Sequence, residues 1–200
     1  MILFSLFIWV LTFVAYEIFR PDSLISLINR SSAVTAVILL SLTLLIGPLS
    51  HFYPKYFEKH KDYRKKLGLL TVFYGLIHIF ITSYTWNIPK AIAYTSSNRS
   101  AIILGVLAAI LLLAISLTSN KKVFENIKFP LWKAIQFTSY VVLALLIVHF
   151  ALIKKSSFLF SPIGIFLLVL STLAILARGL IVIKEIYRKK ELYKKQIVKH

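Results

Sequence analysis

The sequence predicts an all-α integral membrane protein, a six-transmembrane-helix bundle. Three observations carry that expectation. Of 200 residues, 58% are hydrophobic and 16% charged, against about 45–50% and about 25% in a water-soluble domain. The apolar residues gather in six runs, at 1–19, 33–50, 67–86, 100–118, 131–153 and 158–183, each close to the roughly 20 residues a helix needs to cross a bilayer. The basic residues gather between alternate runs.

The first run starts at Met1 with neither a basic n-region nor a small-residue cleavage site, so it is expected to be a retained helix rather than a signal peptide. The 20–32 connector is polar and fits any helical bundle. The other five runs are long and show no alternation of apolar and polar residues, which favours helices over barrel strands. Six such spans occupy 1–184 and leave a basic tail, 185–200. No second folded domain is expected, and none that binds a nucleotide or FAD after the last span.

Orientation follows from charge. The 51–66 loop, the 119–133 stretch and the tail counted from Lys184 together hold 17 Lys and Arg, among them Lys55, Arg64, Lys122 and Arg188. The opposite side holds six: Arg20, Arg30, Lys90, Arg99, Lys154 and Lys155. The positive-inside rule places the richer side, with both termini, in the cytoplasm of a cell membrane. Trp86, Tyr84 and Tyr94 fit an outer aromatic belt, and Trp132 and Tyr187 an inner one. The net charge of +17 would point a soluble protein toward nucleic acid. Here the positions assign it to the inner membrane face, so lipid and not nucleic acid is the expected partner. The tail, with Ile186, Tyr187, Leu192, Tyr193 and Ile197 among its lysines, is read as a helix end lying on anionic lipid or docking a cytoplasmic protein.

Chemistry has few candidates. With no cysteine there is no disulfide, thiolate metal site, iron–sulfur cluster or CxxCH heme attachment. Of the seven acids only Glu17 lies near a span, which argues against proton-coupled transport. No HExxH and no Ser-His-Asp set is present, which argues against hydrolysis. His51, His60 and His200 fall outside the spans. His78 lies eight residues before Trp86, and His149 five before Lys154, or about 12 and about 8 Å below the outer edge at 1.5 Å per residue. Two imidazoles at one depth on different helices either hold one iron between them, as in b-type bundle hemes, or are unrelated buried histidines bonded to hydroxyls and backbone.

Several motifs bear on that choice. Gly47-Pro48-Leu49, Arg64-Lys65-Lys66-Leu67-Gly68-Leu69, and Phe73-Tyr74 through Leu76-Ile77-His78 to Tyr84 follow one another. Thr118-Ser119-Asn120, Trp132, Ile135-Gln136, Tyr140 and His149 come after them. In order and spacing this set resembles the ferric reductase-like transmembrane family, most closely the heme-binding membrane subunits of bacterial periplasmic methionine sulfoxide reductase systems, over residues 45–185. The resemblance implies a cytochrome-b-like bundle with His78 and His149 as axial ligands of heme b.

The chain departs from the pattern at two positions. Gln136, 13 residues before His149, stands where the family carries another histidine, and Arg64, 14 before His78, stands where two-heme members carry one. One heme is therefore expected, in the outer half. Gln136, Arg64 and Arg178 are then expected to surround an inner site for a quinone or FMN, with Arg178 snorkelling to the headgroups as the alternative. Small residues, Gly75, Gly105 and Ala144, would let helices or a porphyrin approach closely. The resemblance further implies an oxidoreductase component that passes electrons from quinol or a separate flavoprotein to an extracytoplasmic reductase. A non-redox anchor or assembly subunit is the main rival, and a small-solute transporter the next.

Overall fold

The computed structural model describes residues 1–19, 21–86, 99–153 and 161–197, and their side chains except those of Lys121, Phe124 and residues 191–197. The expectations that rest on Arg20, Lys90, Tyr94, Lys154, Lys155, Lys199 and His200, and on the tail side chains of Leu192, Tyr193 and Ile197, lie outside that description. Within it the chain is helical: α1 (Ile2–Phe19), α2 (Leu24–Phe52), α3 (Pro54–Phe57) running into a 3₁₀ turn (Glu58–His60), α4 (Tyr63–Trp86), α5 (Arg99–Leu117), α6 (Lys121–Asn126), α7 (Phe129–Leu152) and α8 (Pro162–Ile197). Six of these, α1, α2, α4, α5, α7 and α8, are long and apolar enough to cross a membrane. The six-helix, all-α expectation holds.

Two spans run far beyond their apolar runs. α2 begins at Leu24 rather than 33, capped by Ser23, whose hydroxyl accepts from the Ser26 amide at 3.4 Å. Hydropathy misses its first turns because they read Asn29-Arg30-Ser31-Ser32. Each of those polar groups is paired: Arg30 with Asp22 at 2.7 Å, the Ser31 hydroxyl with the Leu27 carbonyl at 2.7 Å, and Ser32 with the Trp9 indole N–H at 3.1 Å. Paired polar groups cost far less inside a membrane than orphaned ones. α8 likewise continues through the basic tail to Ile197. Its 36 residues make about 54 Å of helix, about 24 Å more than a hydrocarbon core is thick.

α2 is the hub. Two thirds of its apolar stretch is buried, against about a fifth in each of the other spans. It packs on α1, α4 and α8, while α5 packs mainly on α7. Val34 and Val37 of α2 meet Val142 and Leu143 of α7 and Leu167 and Ala174 of α8 in one part of the core, and Leu39 of α2 packs with Leu67 and Tyr74 of α4 in another, all nearly inaccessible. Hydroxyls pin the seams: Thr12 to Thr35 at 3.0 Å between α1 and α2, and Ser41 to Ser171 at 3.1 Å between α2 and α8. Such short side chains allow close backbone approach and spend their polarity across the helix pair. The remaining apolar faces, such as Leu3, Phe80, Leu117 and Leu176, are exposed and suit lipid.

Pro48 lies inside α2. It has no N–H to give to the carbonyl four residues back, that of Leu44. The Tyr140 hydroxyl of α7 donates to that carbonyl at 3.2 Å. Two motif residues nearly a hundred positions apart are thus one structural device.

Candidate functional site

At one end of the bundle two imidazoles meet. His78 on α4 and His149 on α7 have ring centroids 6.5 Å apart and ring planes at 74°. The matched depth read from helix rise is therefore realised. An imidazole nitrogen lies about 1.2 Å from its ring centroid, and metal–imidazole bonds run about 2.0–2.1 Å. Two rings flanking one metal ion axially would have centroids about 6.4 Å apart. An edge-to-face ring pair spans the same range, about 4.5–7 Å, so the hydrogen bonds carry the greater weight.

Both rings are half-buried, and both commit Nδ1. His149 Nδ1 lies 2.7 Å from the main-chain carbonyl of Ala101 on α5. A carbonyl only accepts, so Nδ1 carries the proton and Nε2 keeps its lone pair. His78 Nδ1 lies 2.7 Å from Oδ1 of Asn29 on α2, and the amide of Asn29 donates to the Thr82 hydroxyl at 3.1 Å. Tying off one ring nitrogen to an oxygen acceptor is the usual arrangement of a metal-binding histidine. Two imidazoles are too few for a bare ion, which takes four or more ligands, and among the described residues no cluster of three or more His, Cys, Asp or Glu forms. They are sufficient for an iron whose other ligands come from a porphyrin. The residues present therefore fit heme.

Gly105 is part of this geometry. It is four residues after Ala101 on α5, beside the carbonyl that His149 reaches. A Cβ there would stand 2.9 Å from both Cε1 and Nδ1 of the His149 ring, too close for any side chain. The expected small residue at 105 thus admits a histidine ring. Gly75 has only Leu112 nearby, at 3.9 Å, which is ordinary contact, and Ala144 is exposed.

The other, basic end holds a cavity of about 560 Å³ between α2, α4, α5 and α7. Arg64, Lys61 and Lys65 line it on one side, Gln136, Trp132 and Thr118 on the other. Gln136 donates to the Thr118 hydroxyl at 2.8 Å, and the Trp132 indole N–H to the Thr118 carbonyl at 3.3 Å. The Arg64 guanidinium packs over Gly47, 3.6 Å from where a Cβ would stand. Arg64 and Gln136, read from sequence as neighbours of one inner site, do share this space. Arg178 does not line it. Its guanidinium lies over the ring of Phe137, 5.6 Å from the centroid.

The other histidines are apart from both places. His51 is exposed and edge-on to Phe52, and His60 packs between Phe57 and Tyr63. Sequence reasoning missed Asn29, Thr82 and the Ala101 carbonyl. An asparagine one helix turn inside a capped span was the available signal for the first.

The model of the family described as ferric reductase like transmembrane component matches residues 32–147, which takes in Arg64, His78, Gly105 and Gln136 and ends two residues before His149. A protein-methionine-sulfoxide reductase heme-binding subunit, MsrQ, of Azospira oryzae is 28% identical over 152 residues, 74% of this chain and 64% of that protein. MsrQ of Agrobacterium fabrum is 30% identical over 125 residues, 62% of this chain and 56% of that protein. The magnetosome protein MamZ of Magnetospirillum gryphiswaldense is 30% identical over 92 residues, 45% of this chain and 14% of that protein. The chain thus spans less than two thirds of the length of each of these relatives. Six apolar helices and a family match over more than half the sequence carry one conclusion: this multi-pass membrane protein belongs to the ferric reductase-like transmembrane family.

Proposed function

We propose that the chain is a heme b-binding electron-transfer subunit of the cell membrane, with His78 and His149 as the axial ligands of one heme. The observation that carries this reading is the pair of half-buried rings, 6.5 Å apart, each with Nδ1 bonded to an oxygen. The two MsrQ relatives, named as heme-binding subunits, support it. When bound, the heme supplies one-electron chemistry between ferric and ferrous iron. The chain's own residues hold and orient it. Asn29 and the Ala101 carbonyl keep Nε2 unprotonated on both ligands, and Gly105 makes room for His149.

The cavity at the basic end is the entry point for electrons. A quinone or the isoalloxazine of FMN fits its mixed lining, with Arg64 and Lys65 facing the anionic portion and Gln136 with Thr118 offering amide and hydroxyl groups. Arg178, stacked on Phe137, supports the wall next to Gln136. Quinol or a separate flavoprotein is the donor, and a reductase on the far side of the membrane the acceptor. Both termini are cytoplasmic, with residues 1–184 as the membrane domain and 185–200 as a basic extension over anionic lipid. Reporter fusions after residues 60, 125 and 195 then read cytoplasm, and fusions at 92 and 156 the outside. A fusion at 125 reading outside reverses this topology.

The test of function is an ultraviolet–visible spectrum of detergent-purified protein, oxidised and dithionite-reduced, with pyridine hemochrome quantification. A low-spin b-type spectrum is expected. A purified, folded protein with no Soret band supports the rival, a non-redox anchor, which the replacement of the family's histidine by Gln136 favours.

A further inference from the structure

The two rings are held in unequal ways. His149 is tied to a main-chain carbonyl, which no side-chain substitution removes and which fixes one tautomer. His78 is tied to an amide, which has both a donor and an acceptor and fixes the tautomer only while it is turned the right way. What holds it is Thr82, four residues after His78 on α4 and so on the same face one turn above. The Asn29 Nδ2 donates to the Thr82 hydroxyl at 3.1 Å, and that hydroxyl also lies 3.3 Å from Oδ1. In this arrangement Oδ1, 2.7 Å from the ring, also accepts the Nδ1 proton of His78. Asn29 is itself half-buried in the first turns of α2, where a lone amide is costly and a helix gains nothing from asparagine.

We propose that Asn29, anchored by Thr82, is a positioning residue that holds His78 as its Nδ1–H tautomer and sets how strongly that ring donates to the heme iron. It makes His78 the tunable ligand of the pair and His149 the fixed one. This rests on the assignment of His78 and His149 as axial ligands. A stronger acceptor at position 29 draws the Nδ1 proton away, makes Nε2 a better donor and stabilises ferric over ferrous iron. Removing the acceptor does the reverse and frees the ring to turn.

The test uses the full chain in detergent, with heme quantified as pyridine hemochrome, the potential titrated spectroelectrochemically and the ferric heme examined by electron paramagnetic resonance. Asn29→Asp is expected to keep heme and lower the potential. Asn29→Leu is expected to weaken heme binding about 10–100-fold, raise the potential of the heme that remains and shift its g values. Thr82→Val is expected to move the potential in the same direction as Asn29→Leu, by less. Should Asn29→Leu fail to fold, the opposite shifts of Asn29→Asp and Thr82→Val carry the test. Potentials unchanged in both of these variants at full heme, or shifted in the same direction, overturn the proposal. Its foundation is read separately from His78→Ala. Heme lost there with unmoved potentials in the position-29 and position-82 variants defeats only this inference, whereas full heme there defeats the ligand assignment itself.

Discussion

The histidine end and the basic end of the bundle are built on the same helices and do opposite things with them. His78 and Arg64 are 14 residues apart on α4, and His149 and Gln136 are 13 apart on α7, so the two levels lie about 20 Å apart along the axis. At the histidine level, small groups draw the helices in: Gly105 lets an imidazole reach the Ala101 carbonyl, and Asn29 crosses from α2 to α4. At the basic level the same helices stand around a cavity of about 560 Å³. There, at the positions 14 and 13 residues before the histidines, stand a guanidinium laid over Gly47 and an amide already donating to Thr118. Neither can ligate iron. One scaffold therefore offers a pair of imidazoles at one level and a cationic, hydrogen-bonding space at the other.

The largest break of that contrast is removal of a ligand. His78→Ala and His149→Ala are each expected to abolish stoichiometric heme in the hemochrome assay, while His51→Ala and His60→Ala keep it. The latter two rings pack on Phe52, Phe57 and Tyr63 at the basic end. Full heme in either of the first two variants would remove the basis for treating the two ends as different.

Next in size is Gly105→Ala. With the new Cβ 2.9 Å from the His149 ring, either the ring leaves the Ala101 carbonyl or α5 moves, at a cost of about 1–3 kcal/mol. A loss of most of the heme is expected, together with a lower melting temperature. Gly75→Ala is the matched control, because its nearest neighbour would be at 3.9 Å, and it should keep both. If the two substitutions behave alike, the close approach at 105 is not what seats His149.

Much of this was legible in the sequence. Six spans follow from apolar run length, and the pairing of His78 with His149 follows from helix rise, because a membrane fixes the depth at which every helix enters. The shared space of Arg64 and Gln136 follows from their similar offsets, 14 and 13 residues, from those histidines. Three features were not legible. The early start of α2 was hidden because Asn29, Arg30, Ser31 and Ser32 read as loop until their partners on α1 and α4, and Asp22, are known. The Ala101 carbonyl is invisible because main-chain acceptors have no residue signature. Arg178 was drawn toward the inner site by its depth. Which face of α8 it occupies depends on packing, and there it meets Phe137.

A smaller effect sharpens the contrast from the basic side. The expected heme-to-protein ratio is near one, and Gln136→His should raise it little. A histidine at 136 would face Arg64 across the cavity, and a guanidinium gives iron no opposing lone pair. A ratio near two in the unmodified protein would mean that the basic level also binds heme, and the two ends would then be alike.

The smallest expected effect concerns what keeps the two levels in one frame. Pro48 frees the Leu44 carbonyl in the core of α2, and the Tyr140 hydroxyl, between Gln136 and His149 on α7, satisfies it at 3.2 Å. Tyr140→Phe keeps the ring and removes only the donor. An unsatisfied carbonyl away from water costs about 1–3 kcal/mol, so a fall of a few degrees in melting temperature is expected. Heme should stay at full occupancy, because the ring nitrogens and their acceptors are untouched. Restoring the main-chain donor instead, with Pro48→Ala in the Tyr140→Phe background, should recover much of the loss, since an alanine N–H at 48 can reach the Leu44 carbonyl as in an unbroken helix. If the double variant is no more stable than Tyr140→Phe alone, the proline and the tyrosine are not partners, and the link between α2 and α7 must be carried by the apolar contacts of Val142 and Leu143.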